Sequence, residues 1–406
     1  MSLNSRREYF RVLSERYQKE VSKKGRTQIV NEACQNTSLH RKSVLRALNR
    51  TLKEPFKSVR IGRPHKYLPA TLEALKRLYR ESEYQCSGKL RAMIPTLLSQ
   101  LKLDLPAEVL KQLGQISTAS IDRHLKKYKA QYSLKGRSHT RPGSKIFKKM
   151  IPLKNLSNIA QGPGTLEADT VGHCGGVASG EFAFSLTMTD EHSGWTRNRS
   201  VKNKCAVNVK PAIEYVMNAL PFEVFSVNFD NGSEFLNNLV YGYFQGFALA
   251  RGIDFPMTRS RSYQKNDNAR VEQKNWTHVR QIFGYERIED QRLVDLMNDI
   301  YEVQNLIQNF FIPQYKLKSK VRVGSKIKKK YDSPKTPYQR LLESNIAEHF
   351  KEKLRAQYAT LHYPTLKRQK DELVAAFIKL QKQIELEKRA NNTNPSNDNN
   401  FGNTHL

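Results

Sequence analysis

Apolar residues within positions 26–50 recur at helical spacing in two groups, on either side of a polar segment at residues 35–38. The two groups are Ile29, Val30 and Ala33, then Val44, Leu45 and Leu48. Two short amphipathic helices around a polar turn are typical of a helix-turn-helix, so we predict a DNA-binding domain over residues 1–55. The alternative is a plain helical hairpin with a charged outer face. In the DNA-binding case the second helix offers long donors to phosphates or guanine edges, namely His40, Arg41, Lys42 and Arg46.

A second helical region follows the first. Apolar residues between 90 and 98 fall on one helical stripe, and Ser117 with Thr118 is a suitable cap for a further helix. We predict a second helical, helix-turn-helix-like DNA-binding domain over residues 71–134. The basic segments 56–70 and 135–160 show no periodicity and are predicted to be linkers. Arg63 lies in a Gly-Arg-Pro tripeptide of the first linker, which is either a plain connection or a minor-groove contact.

From about residue 164 the pattern changes to short strand-like runs with turn residues between them. The spacing predicts strands at 165–171, 182–189, 195–201, 224–229 and 254–258, and helices at 206–219, 236–251 and 269–285. The resulting order βββαβαβα is that of the ribonuclease H-like fold, which we predict for residues 161–312. The whole chain is therefore expected to be a multidomain α/β protein, with all-α helix-turn-helix units before this core and a basic C-terminal region after it.

Three acidic residues fall at positions of this layout that can converge. Asp169 lies within the first strand, Asp230 at the end of the fourth, and Glu272 in the first turn of the last helix. Strand ends next to a helix start are where open α/β sheets place ligands, and such carboxylates suit a pair of Mg²⁺ ions, with Mn²⁺ as a substitute. Two metal ions on the scissile phosphate support in-line displacement without a covalent intermediate. The competing acids are Glu167, Asp190, Glu234 and Asp267.

The net charge of the chain predicts a polyanionic partner. Lys and Arg number 69 against 38 Asp and Glu, a net charge of +31. Residues 1–150 hold 34 basic and 11 acidic residues, whereas residues 151–300 hold 15 and 17. Basic flanks around an acid-containing centre favour double-stranded DNA as the partner. The chain has no apolar run long enough for a membrane span. Its four cysteines are isolated from one another. We therefore expect a cytoplasmic, nucleoid-associated protein with no membrane partner.

The C-terminal part begins with a dense basic segment. Residues 313–335 alternate apolar and basic positions, as in a small strand-containing DNA-binding element or a solvated loop. Helical patterns follow at 337–350 and 371–388 within a basic C-terminal region over 313–388, and the second helix could pack between subunits. The final residues 389–406 are polar and of low complexity, and we expect them to be disordered.

Three segments of the centre resemble the catalytic blocks of a known family. LEADTVGHCGG, FSVNFDNGSEF and QKNDNARVEQKNWTHVR are similar to those of bacterial insertion-sequence transposases in the DDE/retroviral-integrase superfamily, and the ISNCY type is the closest group. The resemblance implies an integrase catalytic core in which Asp169, Asp230 and Glu272 are both catalytic residues and metal ligands. Two departures are the 41 residues between Asp230 and Glu272, longer than the retroviral spacing, and the absence of a His/Cys zinc domain.

That resemblance implies a transposase that binds the terminal inverted repeats of an insertion sequence, cleaves the ends and joins them to target DNA. At least a homodimer is expected to act on the DNA. DNA contacts near the site are expected from the last helix and the residues just before it: Lys265, Arg270, Lys274 and His278, the last two as one polar row. The main alternative is a domesticated tandem helix-turn-helix regulator with an inactive core. A third interpretation is that the chain is an RNA-cleaving nuclease of the same fold.

Overall fold

The computed structural model describes residues 3–49, 66–129, 151–153, 162–230, 232–260 and 269–393. The chain divides into two compact units, Met1–Lys66 and Tyr67–Leu406. Arg63 and Lys265, both predicted to contact DNA, lie outside the described residues. Within the described part of the chain, no helix has both the length and the apolar character that a membrane crossing needs.

The first unit is a bundle of three helices, α1 (Leu3–Lys19), α2 (Lys23–Thr37) and α3 (Arg41–Leu48). The predicted pair of helices is present as α2 and α3, with α1 as an additional member. The turn lies at residues 38–40 rather than 35–38, because the buried Thr37 continues α2 and donates its hydroxyl to the Ala33 carbonyl at 2.6 Å. The small core of this unit consists of Leu13, Ile29, Val30, Ala33, Val44 and Leu48.

The second unit starts with four helices: α4 (Pro69–Glu81), α5 (Ser87–Leu101), α6 (Ala107–Gln115) and α7 (Thr118–Lys129). The side chain of Ser117 accepts a hydrogen bond from the Ser120 amide at 3.2 Å, as expected of the cap before α7. Buried side chains such as Leu78, Leu90 and Leu113 belong to the same continuous core as the sheet that follows.

The sheet contains β1 (Thr165–Gly172), β2 (Phe184–Asp190), β3 (Thr196–Val201), β4 (Ser226–Phe229) and β5 (Met257–Arg259) in the order β3-β2-β1-β4-β5. β1, β2 and β3 form an antiparallel meander, and β4 and β5 run parallel to β1. Helices α8 (Ala206–Asn218) and α9 (Asn238–Arg251) connect β3 to β4 and β4 to β5. The element order of this mixed α/β region is the one expected from the sequence. α9 starts two residues later than expected because Asn237 caps it, accepting from the Val240 amide at 3.0 Å.

The helix after β5 changes its winding in the middle. It consists of α10 (Ala269–Lys274), a π-helical stretch (Asn275–Arg280) and α11 (Gln281–Phe283). Next, α12 (Gln291–Phe310) lies along the edge strand β3. The Asn298 and Asn309 side chains of α12 accept hydrogen bonds from the Ser200 and Thr196 amides, at 2.7 and 2.9 Å. These amides would otherwise be the unpaired groups of a sheet edge, so α12 protects the edge of the sheet.

The C-terminal part contains the hairpin β6 (Leu317–Val323) and β7 (Lys326–Tyr331), then α13 (Pro337–Glu343), α14 (Glu348–Thr360) and α15 (Tyr363–Thr393). The predicted single helix over 337–350 is two helices, since α13 ends before Ser344. α15 packs Phe377 and Ile384 into the core around α12 of the same chain. Phe377 and Ile384 are therefore used within the chain. α15 also continues past residue 389, where the disordered tail was expected to begin.

Candidate functional site

The carboxyl ends of β1 and β4 bring two of the predicted acids together. β1 and β4 are parallel neighbours, and their register pairs Ala168 with Phe229. Continuing that register by one residue places Asp169 level with Asp230, which follows the last residue of β4. Both side chains are half-buried. The two carboxylates thus meet at the strand ends, where α/β sheets bind ligands.

The electrostatic setting of Asp169 is unfavourable for its charge. Its pKa is raised well above the ordinary value, first because water is removed around it and second because the negative charge of Asp230 is close. Two hydrogen bonds oppose this rise: the Thr170 amide donates to Oδ1 at 2.8 Å, and Asn275 Nδ2 donates to Oδ2 at 2.6 Å. Asp230 in turn accepts from the Gly232 amide at 2.8 Å. Backbone and amide donors thus hold both carboxylates at the strand ends.

Glu272 lies in the first turn of α10, as predicted, and its side chain is exposed. It stands three residues before Asn275, the residue that contacts Asp169, and residues three apart share a helix face. Among the described residues, no group of three or more His, Cys, Asp or Glu side chains lies close enough together to hold a metal ion. The structure therefore brings together Asp169 and Asp230, with Glu272 one helical turn from the Asn275–Asp169 hydrogen bond.

Asn275 is the residue of this site that the sequence analysis did not single out. Its Oδ1 atom is buried and has no hydrogen-bond partner within the described part of the chain, while its Nδ2 contacts Asp169. A buried carbonyl oxygen without a donor is costly, and π-helical stretches such as the one that starts at Asn275 are frequent at functional sites. The signal available in the sequence was the three-residue spacing from Glu272. Two carboxylates and a vacant amide oxygen form a set of hard oxygen donors, so the residues present fit Mg²⁺.

Glu167, the main competitor of Asp169, has a different environment. Its side chain is 1% exposed and accepts from Arg270 Nη1 at 3.0 Å and from the Val271 amide at 3.2 Å. Arg270 also pairs with Glu191 at 2.7 Å. A carboxylate at the first turn of a helix is stabilised by the helix dipole, so Glu167 anchors α10 to β1. This leaves Asp169 as the better ligand candidate of the two.

Two of the other competing acids, Asp190 and Glu234, accept hydrogen bonds from neighbouring groups. Asp190 accepts from the amides of Gly164 and Ser193 and from the Ser193 hydroxyl at 2.6 to 2.8 Å, so it stabilises the turn after β2. Glu234 is 8% exposed and accepts from the Thr170 hydroxyl at 2.7 Å. Its negative charge contributes to the raised pKa of Asp169. Asp267 lies outside the described residues.

The described residues predicted to contact DNA fall into three groups, and one of these is Arg270 alone, which is ion-paired with Glu167 and Glu191. Arg41, Lys42 and Arg46 are exposed on α3, where Arg41 Nη1 also donates to Asn31 Oδ1 at 2.7 Å. Lys274 and His278 do not form the expected exposed row: they are 8% and 0% exposed. Burial lowers the pKa of both groups well below their ordinary values, and His278 Nδ1 contacts Asn198 Oδ1 of β3 at 3.0 Å. Their helix turns this polar row towards the sheet, so the prediction that it contacts DNA is wrong.

The fold and site define a mixed α/β protein with an acidic pair at the carboxyl ends of two parallel strands. No protein-family model matches the chain. It is 32% identical over 346 residues to the uncharacterized protein y4rM of Sinorhizobium fredii, covering 84% of this chain and 96% of that protein. The chain therefore belongs to the same family as y4rM.

Among solved structures, the chain matches the catalytic core domain of BIV integrase at 15% identity and a TM-score of 0.27. The match covers 46% of this chain and 97% of that one. A TM-score this low does not establish a shared fold.

Proposed function

We propose that this chain is a DDE-type transposase, a metal-dependent enzyme that cleaves DNA strands at the ends of an insertion sequence and transfers them to target DNA. The observation that carries the proposal is the Asp169–Asp230 pair at the ends of two parallel strands. A carboxylate whose pKa is raised by burial and by a neighbouring carboxylate, as that of Asp169 is, is typical of functional sites, because a bound cation favours its charged form.

The arrangement of the sheet supports the proposal. An antiparallel β1–β2–β3 meander extended by parallel β4 and β5 has the strand order of a ribonuclease H-like core, with Asp169 on the central strand β1 and Asp230 directly after its neighbour β4. We assign Glu272 as the third ligand because it begins the next helix and lies one turn from the Asn275–Asp169 contact. Its exposure leaves the carboxylate accessible to metal and DNA from solvent.

The chain's own residues have separable tasks in this proposal. Asp169, Asp230 and Glu272 hold two Mg²⁺ or Mn²⁺ ions, and Asn275 orients Asp169 through its 2.6 Å hydrogen bond. When bound, such ions activate an attacking hydroxyl and stabilise the leaving oxygen of a phosphodiester. Arg270 positions the helix that carries Glu272, through its ion pairs with Glu167 and Glu191.

Duplex DNA is the proposed partner, and the inverted repeats of the element are its specific form. The exposed residues Arg41, Lys42 and Arg46 follow a short turn on α3, which suits entry of that helix into a major groove. We further propose that two or more copies act together, because both ends of an element must be joined in one event.

The test compares metal-dependent nicking of labelled end DNA by wild type, Asp230→Asn and the control Asp254→Asn. Asp254 is an exposed acid just before β5. We expect Asp230→Asn to lower nicking by about 10³-fold, roughly 4 kcal/mol of transition-state stabilisation, with DNA binding retained and the control active. The products should carry 3′-hydroxyl ends.

The alternative is a DNA-binding regulator whose core has no activity, and the observation in its favour is that no three possible metal ligands lie together among the described residues. Specific binding without metal-dependent cutting by wild type, over several candidate ends, would replace the transposase by this regulator. Cutting of RNA in preference to DNA would instead indicate a nuclease.

A further inference from the structure

The β6–β7 hairpin is unlike every other strand pair described in the structure. All thirteen residues of its two strands are exposed, whereas β2 of the central sheet is buried throughout. Its base is well anchored: Arg340 pairs with Asp332 at 2.6 Å, and Asp332 also accepts from the Lys316 amide at 2.7 Å. The hairpin is thus a projection with a fixed base.

The charge of this projection has one sign. Residues 317–331 contain no acid and seven basic side chains: Lys318, Lys320, Arg322, Lys326, Lys328, Lys329 and Lys330. Lys320 stands directly opposite Lys329 in the register, and like charges in that position destabilise a hairpin. Among the described residues, no carboxylate forms an ion pair with Lys320, Lys328 or Lys329.

A two-stranded hairpin with no buried side chain is marginally stable even without such repulsion. A polyanion along both of its faces would convert the repulsion into attraction. Lys328 and Lys329 are consecutive in an extended strand, so they lie on opposite faces, and the positive charge surrounds the ribbon. A flat partner surface would meet only one of these faces, whereas a groove lined by phosphates on two sides meets both.

The dimensions agree with a groove. A strand of seven residues extends about 23 Å, and paired strands lie about 5 Å apart. The major groove of B-DNA is about 12 Å wide and admits a two-stranded ribbon. We propose that the β6–β7 hairpin is a DNA-binding ribbon that enters the major groove of duplex DNA and contacts the phosphates on both sides. The proposal deepens the DNA-binding part of the proposed function and rests on it.

The experiment measures equilibrium binding of the full chain to duplex DNA in EDTA, over a series of salt concentrations. The variant is Lys320→Gln/Lys328→Gln/Lys329→Gln. The matched control is Lys353→Gln/Lys379→Gln/Lys382→Gln, three exposed lysines of α14 and α15 that carry the same change in charge. Because the hairpin residues are all exposed, the variant should fold as wild type, which circular dichroism checks.

We expect the hairpin variant to bind about tenfold or more weakly near physiological salt, with the slope of log K against log salt less steep by about 0.9 per lost phosphate contact, up to roughly 2.7. The control should keep the wild-type slope to within about one contact. Methyl green, which occupies the major groove, should abolish the difference between wild type and variant, whereas netropsin in the minor groove should not.

Equal slopes for the hairpin variant and the control would overturn the proposal. A DNA-free change in oligomeric state of the hairpin variant, measured by sedimentation velocity, would also overturn it and assign the hairpin to a second copy of the chain. Since binding is measured in EDTA, the outcome is separate from catalysis: metal-dependent nicking with equal slopes refutes the hairpin alone, and altered slopes without nicking refute the transposase alone.

Discussion

Two regions of the molecule concentrate side chains of one charge sign, and they do so in opposite environments. At the ends of β1 and β4, Asp169 and Asp230 are half-buried and close together, and the pKa of Asp169 is raised. In the β6–β7 hairpin, seven cations are spread over two fully exposed strands. Water screens the second cluster far better than the first.

The difference indicates what each region is suited to bind. Two carboxylates in a partly dehydrated site repel strongly over a few ångströms, and a small divalent cation is the ligand that relieves this repulsion locally. Exposed cationic side chains along two strands gain little from one small ion, because water already screens each of them. They gain from a long polyanion, through the release of its condensed counterions. The carboxylate pair is therefore suited to binding a catalytic metal ion, and the hairpin is suited to binding a polyanion.

The largest expected effect tests whether the acidic region binds metal through Glu272, the third acid of the site. We expect Glu272→Gln to reduce metal-dependent nicking by about 10³-fold, because a carboxylate ligand is lost. Glu234→Gln, a matched change at the buried acid that accepts from Thr170, should cost far less. Nicking assays with Mg²⁺ and Mn²⁺ measure both. The reverse ranking would make Glu234 the third ligand and leave Glu272 as a surface residue.

A smaller effect concerns His173, a buried histidine whose imidazole ring is neutral in the folded protein at pH 7. Burial, and then the positive charge of Arg280, lower the pKa of His173 to about 3, and its Nε2 contacts the Ser185 hydroxyl at 2.8 Å. Because the folded pKa lies below the unfolded value, His173 contributes stability above pH 6.5 that is lost as pH falls towards 3. We expect this contribution to fall by about 2 kcal/mol between pH 7 and pH 5.

Urea unfolding at pH 7 and pH 5 checks the prediction for His173. His173→Gln should lose less stability over this interval than wild type, by about 2 kcal/mol. The exposed His349→Gln serves as the control and should follow wild type. If the two variants show the same pH dependence, His173 does not titrate as its burial implies.

The smallest effect would test the repulsion within the acidic pair itself. Burial and the nearby Asp230 raise the pKa of Asp169, so the folded state disfavours its ionised form, and this costs stability above the unfolded pKa. Asp169→Asn removes that charge and keeps an acceptor for Thr170. We therefore expect about 1 kcal/mol of added stability in EDTA, together with loss of nicking. Urea unfolding measures it, with Asp254→Asn as reference. Destabilisation relative to Asp254→Asn would mean that the two acids do not repel.

Most strands and helices of the central region could be predicted from the spacing of apolar residues along the sequence. Alternating short runs predicted all five strands, and the 3.6-residue pattern predicted the helices between them, with ends displaced by a few residues. The displacements have local causes, such as the Asn237 cap that delays α9. Lys274 and His278 show where periodicity misleads. Their four-residue spacing correctly put them on one helix face, but only packing against β3 decided that this face is buried.

The sequence by itself determined the strand and helix order of the core, the uneven charge along the chain, and the positions of Asp169, Asp230 and Glu272 within their elements. These depend on local periodicity and composition, which act over a few residues. Only the tertiary structure decided that β1 and β4 are parallel neighbours in a register that aligns Asp169 with Asp230, that Glu167 is bound by Arg270, and that Asn275 keeps an unpaired oxygen. Contacts between residues 60 to 110 positions apart depend on how the elements pack, and no local pattern encodes that packing.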